Sequence, residues 1–158
     1  MLSVTVLCAG NLKEDYLRAA VSEYEKRLSG YCRLETVCVK EEVLRSESEG
    51  EIAAALKTEG KRILEAIPKR SYVVALCVEG KQLSSPELAD SFLRAYDAFP
   101  EICLIIGSSY GLDDEVKAAS HMRLSLSKMT FPHRLMRVIL LEAVYRAFTI
   151  NAGVKYHK

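Results

Sequence analysis

The sequence lacks several features that would each have pointed to a class of protein. No uncharged run, Ile102–Leu112 included, comes near the ~20 apolar residues a helix needs to cross a bilayer. The opening MLSVTVLCAG has neither the basic start nor the small-residue cleavage pattern of a secretory leader, so a cytoplasmic protein is expected. None of the five cysteines (Cys8, Cys32, Cys38, Cys77, Cys103) forms a C-x-x-C pair. Reduced thiols packed as small hydrophobes are therefore expected. The three histidines lie far apart and none has a cysteine at ligand spacing, which argues against a metal site. There is no G-x-G-x-x-G, no G-x-x-x-x-G-K-[ST] and no G-x-S-x-G. A dinucleotide fingerprint, a phosphate loop and a nucleophile elbow are thereby excluded. Internal repeats and linkers are missing too.

What remains is a chain of 158 residues, 49% apolar and 27% charged, which suits one globular domain with a proper core. Its net charge of +1 conceals an asymmetry. Residues 117–158 hold eight Lys and Arg against one acid, Glu142, a balance of +7; the first 116 hold 14 basic and 20 acidic residues, or −6. Such a split suits a polyanion-facing end, for which RNA is the usual partner, or a solvated basic face with no partner at all.

Apolar runs of strand length recur at Ser3–Cys8, Arg33–Val39, Tyr72–Val78, Ile102–Gly107 and Met122–Ser127. Helical patterns separate most of them. Tyr16, Leu17, Ala20, Val21, Tyr24 and Leu28 share one face of KEDYLRAAVSEYEKRL, and Ile52, Ala55, Leu56, Ile63 and Ile67 do so before Pro68. SSPELADSFLRAY opens with a serine cap and a proline in the first turn. Alternating strands and helices predict an α/β fold, a mostly parallel sheet with helices on both faces. Only Lys40–Gly50, charged and serine-rich, reads as a long mobile loop.

Ligands of open α/β sheets bind beyond the carboxyl ends of the strands. The segments there are CVEGKQLSS, GSSYGLDDE and SLSKMTFPH. Gly107 and Gly111 would let backbone approach a ligand, or simply allow a turn. The last of these segments leads into a helix from His133 to Ile150 that is apolar around much of its circumference. A surface helix needs one apolar stripe, so the excess predicts a second covered side, most simply in a two-fold homodimer. Ala143 and Ala147 are expected on the partner's side.

IIGSSYG after a strand, then LSLSKMTFPHRLMRVILLEAVYRAF and a terminal YHK, together resemble the ribosomal RNA large subunit methyltransferase H family. That family belongs to the knotted SPOUT class of S-adenosylmethionine-dependent methyltransferases. The likeness runs the length of the chain, including GNLKEDYLRAAVSEYEKRL and EGKQLSSPELA; Ser108 stands where a second glycine is common. The resemblance implies a deep C-terminal trefoil knot, a feature sequence reasoning alone would never propose. It also implies methylation of N3 of a pseudouridine in 23S rRNA of the assembled ribosome, with S-adenosyl-L-methionine as donor.

Carried over by position, Leu76, Gly107, Leu126, Ser127, Lys128, Met129, Thr130 and Phe131 would line the cofactor pocket. Leu76, Leu126, Met129 and Phe131 would supply apolar walls, and the bent backbone would supply hydrogen bonds. Tyr156 and His157 would sit beside the acceptor base, with His157 a candidate general base. Arg134, Arg137, Lys155 and Lys158 would hold phosphates. Plainer roles stand beside these: Met129 and Phe131 as core fillers, Thr130 as a helix cap, Lys128 as a solvated charge, the tail as a frayed end. Two other functions suit the same residues, a SPOUT enzyme acting on tRNA and a non-catalytic RNA-binding dimer.

Overall fold

Strand and helix alternate throughout the computed structural model, which describes residues 1–158. The elements are β1 (Leu2–Ala9), α1 (Asp15–Leu28), β2 (Cys32–Val39), α2 (Glu49–Ala66), β3 (Ser71–Gln82), α3 (Ser85–Ala98), β4 (Glu101–Ile106), α4 (Asp114–Ala119), β5 (Met122–Ser125) and α5 (His133–Asn151). The strands form one sheet in the order β2-β1-β4-β3-β5, every neighbouring pair parallel.

The central strands are apolar on both faces because both faces are covered. Val4, Val6, Cys8, Ile102, Leu104 and Val74 point into a core shared with α1, α3 and α5. Leu7, Cys103, Ile105, Val73 and Ala75 point the other way, onto Ile63 of α2 and Val116 of α4. Each fully buried Leu, Ile or Phe contributes roughly 1.5–3 kcal/mol. Burial also pushes the Cys8 and Cys103 thiols up to about 12, in keeping with thiols that serve as packing. Cys38 is exposed and departs from that expectation.

Local signals set the helix starts. Ser84 and Glu87 make a reciprocal capping box on α3, and the Ser48 hydroxyl accepts the Glu51 N–H at 3.2 Å to start α2. Residues 40–48 form an irregular connection, shorter than the Lys40–Gly50 loop expected because Glu49 and Gly50 already belong to α2. Glu59 and Arg62 of α2 tie it down through Glu42 and Lys40. Three further features differ from the sequence reading. β3 runs to Gln82 rather than ending near Val78, so most of CVEGKQLSS belongs to the strand. The short helix α4 has too few residues for periodicity to reveal it. β5 stops at Ser125, so Leu126 and Ser127 lie in the loop beyond it.

α5 packs against both α1 and α3, and its buried stripe is Arg137, Leu140, Leu141, Val144, Ala147, Phe148 and Thr149. Ala147 is fully buried within its own chain and so is not a partner-facing position, while Ala143 is partly buried against the same core. The face left partly uncovered carries Leu135, Val138, Ile139 and Glu142 instead.

Candidate active site

The three post-strand segments converge on one cleft of about 290 Å³ at the carboxyl end of the sheet. Its lining includes Leu76–Glu79 from β3, Ile106 at the end of β4 with Gly107–Leu112 beyond it, and Leu124 and Ser125 at the end of β5 with Leu126, Ser127 and Met129–Phe131 beyond it. The cleft exists because β3 and β5 part company. Their pairing breaks after Leu76 and resumes at Lys81, and the residues between bow outward. Gly80 closes the bulge: a Cβ there would lie 2.7 Å from the Leu124 carbonyl carbon. Gly80 lies two residues beyond the apolar run Tyr72–Val78, so the sequence placed it in a loop and gave no sign of the bulge.

Gly107 has a similar steric reason. A Cβ at that position would fall 2.1 Å from the Gly111 carbonyl oxygen, so the loop closes on itself only with glycine there. Gly111 supplies the left-handed turn, at φ 92°. The close approach at Gly107 is thus between two stretches of the same loop. At the end of β5, the Ser125 hydroxyl donates to the Ser127 carbonyl at 3.0 Å, and the Ser127 hydroxyl accepts the Met129 N–H at 2.9 Å. These bonds hold the backbone bent. Thr130 does not cap α5, whose N-cap is Pro132 with no side-chain cap. Met129 is 70% exposed at the lip and is no core filler. Lys128 is exposed and does not line the cleft, whereas Lys117 lines it and pairs with Glu79. That contact holds the Glu79 carboxyl below the usual range.

Behind the cleft, Glu59 of α2 is buried and accepts two hydrogen bonds, from the Ser108 hydroxyl at 2.8 Å and the Glu42 N–H at 2.8 Å. Its burial pushes the carboxyl up. At the start of α5, His133 also lines the cleft, and its Nε2 lies 3.7 Å from Glu41 Oε1. Glu41 and Glu59 escaped the sequence reading, and Gly80 and His133 lay within its post-strand segments without an assigned role.

The cations expected to hold phosphates divide into two kinds. Arg137 is 4% exposed, and its guanidinium donates to the Ala9 and Gly10 carbonyls, so it is turned inward and not toward a phosphate. Arg134 is half-buried and bonded to Glu14 at 3.0 Å. Lys155 and Lys158 are exposed and unpaired, as are Arg123 and Lys128. The tail folds back along α5. Tyr156 donates to Glu142 at 3.1 Å beneath the Arg146 guanidinium, and His157 Nδ1 lies 3.3 Å from Arg146. None of these tail residues lines the cleft of its own chain. Glu142 is roughly 9 Å of helix rise beyond Met136, the last cleft residue.

A family model described as "Predicted SPOUT methyltransferase" matches residues 2–157. The chain belongs to the SPOUT methyltransferase family. Within that family it is 45% identical over 159 residues to the ribosomal RNA large subunit methyltransferase H of Clostridioides difficile (strain 630), covering 99% of this chain and 100% of that one. The protein of the same name from Clostridium novyi (strain NT) is 46% identical over 162 residues, with the same coverage. Among solved structures, a probable methylase family protein from Haemophilus influenzae Rd KW20 superposes with a TM-score of 0.59 at 13% identity. That match covers 100% of this chain and 72% of the other, and it shows that the fold is shared. No group of three or more His, Cys, Asp or Glu is placed to hold a metal ion, and no helix is long and apolar enough to cross a membrane.

Proposed function

We propose that this SPOUT methyltransferase modifies ribosomal RNA in the cytoplasm, transferring a methyl group from S-adenosyl-L-methionine to N3 of a pseudouridine in 23S rRNA. The observation that carries the reading is the convergence of Leu76, Gly107, Leu126, Ser127 and Met129–Phe131 on one cleft. Its volume sits at the lower edge of the ~300–1,000 Å³ range of small-molecule sites. Apolar side chains and sharply bent backbone suit an adenine and its sugar, and the Glu79 carboxylate suits a cationic neighbour. When bound, the donor supplies an activated methyl group on a sulfonium. The protein's share of the work is to align a nitrogen with that methyl and to exclude water.

A homodimer is part of the same proposal. The partly covered Leu135, Val138 and Ile139 would pack on a second copy, and the tail, remote from its own cleft, would reach the partner's. Tyr156 and His157 would then contact the acceptor base, with Lys155 and Lys158 on nearby phosphates. The segment Leu126–Pro132, which leads from the sheet edge to α5, is the one proposed to thread the trefoil knot.

The basic C-terminal portion keeps four unpaired cations, Arg123, Lys128, Lys155 and Lys158, and the rest of the chain is net negative. Binding of free RNA should therefore be weak and strongly salt-dependent, and the assembled ribosome must add contacts and shape. The test is labelled methyl transfer to whole ribosomes, isolated subunits, naked rRNA and tRNA, followed by mapping of the modified nucleoside. Efficient transfer only to a pseudouridine of the assembled ribosome is expected. Equal rates on naked rRNA would contradict the ribosome requirement, and preferential labelling of tRNA would overturn the substrate.

A further inference from the structure

The apolar walls of the cleft do not account for the start of α5. His133 lines the cleft, yet its Nε2 is sealed from solvent and has no hydrogen-bond partner. The nearest carboxylate to that nitrogen is Glu41, at 3.7 Å. The placement of Glu41 is built from three sides. Gly10 adopts φ +85°, and a Cβ there would come within 2.5 Å of Glu41 Oε2, so the carboxylate occupies space a side chain would fill. On one flank, the Lys40 carbonyl accepts from Arg62 at 2.9 Å. On the other, Glu42 pairs with Arg62 at 2.7 Å and donates its N–H to Glu59 at 2.8 Å. α2 thus clamps both neighbours of Glu41.

The charges facing His133 come from three elements. Burial is the main cause holding its imidazole below the usual value; Glu41 and Glu14 oppose this, while Arg134 and Arg137 on α5 reinforce it. The uncapped N-terminus of α5 acts in the same sense as the arginines. A neutral ring at neutral pH follows. The other titratable groups lining the cleft are less suited to accept a proton. Glu79 is held ionised by Lys117, and the Cys77 thiol and Tyr110 hydroxyl are pushed up.

We propose that Glu41 and His133 form a carboxylate–imidazole dyad that accepts the proton of the methyl-accepting nitrogen. The inference rests on the reading of this cleft as an N3 methyl-transfer site. Glu41 favours the tautomer with hydrogen on Nε2, which leaves the Nδ1 lone pair free to accept a proton. The N3–H bond breaks toward Nδ1 and N3 takes the methyl group. The electron pair of the severed carbon–sulfur bond stays on sulfur. The imidazolium that results is stabilised by Glu41 and returns its proton to water. His157, exposed and beside the Arg146 guanidinium, has no such carboxylate.

The test begins with the full-length protein alone, labelled with 15N-histidine. Nitrogen shifts should report His133 as the Nε2–H tautomer at neutral pH, titrating below free histidine, and Glu41→Gln should lower that titration further. An Nδ1–H tautomer, or a titration indifferent to Glu41, would overturn the dyad. In methyl transfer, the wild-type rate should fall at acid pH as His133 protonates. Glu41→Gln should move that limb to lower pH and reduce the plateau about tenfold. His133→Gln should abolish the limb and cost about a hundredfold or more, with donor affinity measured by calorimetry nearly unchanged. If His133→Gln does not fold, the near-isosteric Glu41→Gln carries the test. A His157→Ala variant that loses the limb while His133→Gln keeps it would also overturn the dyad. Absence of ribosome methylation by the wild type would instead sink the functional reading, and the tautomer measurement would still decide the pairing.

Discussion

Glu59 lies outside the cleft and yet holds two of its borders, the loop of Ser108 and the loop of Glu41 and Glu42. Glu59→Ala would leave both donors short of a partner in a buried place, at a cost of about 1–3 kcal/mol. Glu59→Gln keeps an acceptor for Glu42 and a partner for Ser108, so it separates charge from hydrogen bonding. Burial raises the folded-state value of Glu59, so the protonated form is favoured in the fold. Its contribution is fully present below the unfolded carboxyl value and is lost as pH rises through the raised one. Chemical denaturation across mildly acid to neutral pH should therefore show a falling component in the wild type that Glu59→Gln lacks. Parallel curves for the two proteins would mean that Glu59 does not titrate differently in the fold. Gly107 teaches a related lesson. Its bareness serves the Gly111 carbonyl 2.1 Å from the missing Cβ, so a side chain there disrupts the loop whether or not a ligand binds.

At the scale of the element, α5 serves three surfaces in turn. Its first turn borders the cleft through His133 and Met136, one stripe fills the core, and a third face with Val138 and Ile139 stays partly open. A charge has different effects on the last two. Ala147→Asp places an unpaired carboxylate in a fully buried position and should unfold the protein or lower its melting temperature steeply. Ile139→Asp should leave the melting transition cooperative and shift sedimentation from about twice the chain mass to the monomer. A wild-type protein that sediments as a monomer and still methylates its substrate would remove the proposed interface.

The whole molecule raises the question of how a tail can serve a cleft it does not touch. Tyr156 and His157 lie against Glu142, Tyr145 and Arg146, on the outside of α5. Deleting residues 156–158 removes only exposed or half-buried side chains, so fold, dimerisation and donor affinity should persist. Methyl transfer should fall about a hundredfold, the scale of a lost positioned group. Mixing the tail-deleted chain with a full-length chain whose cleft is blocked should restore activity in the mixed dimer. Recovery would place the tail in the partner's site; wild-type rates from the deleted protein alone would reduce it to a frayed end. The charge asymmetry also changes meaning at this scale. Lys117, Arg134 and Arg146 pair with acids of the same chain and Arg137 with its carbonyls, so about half of the eight C-terminal cations are already engaged.

The chain's periodicities determined that β1, β3 and β4 would be covered on both faces, and its serine and proline determined where α3 would begin. The alternation of apolar runs with helical patterns determined that the segments at the runs' carboxyl ends would share one end of a parallel sheet. These are local properties: apolar spacing, a serine cap and a glycine are each legible within a few residues. The tertiary structure alone decided that Arg137 turns inward, that Ala147 belongs to the core, that Gly80 closes a bulge against β5, and that Gly10, Glu41 and His133 meet beside the cleft. Those contacts join residues up to 128 positions apart, as between Ala9 and Arg137. No spacing along the chain encodes such a meeting. It follows from the path of the backbone, which sets how close two groups lie and how much water remains between them.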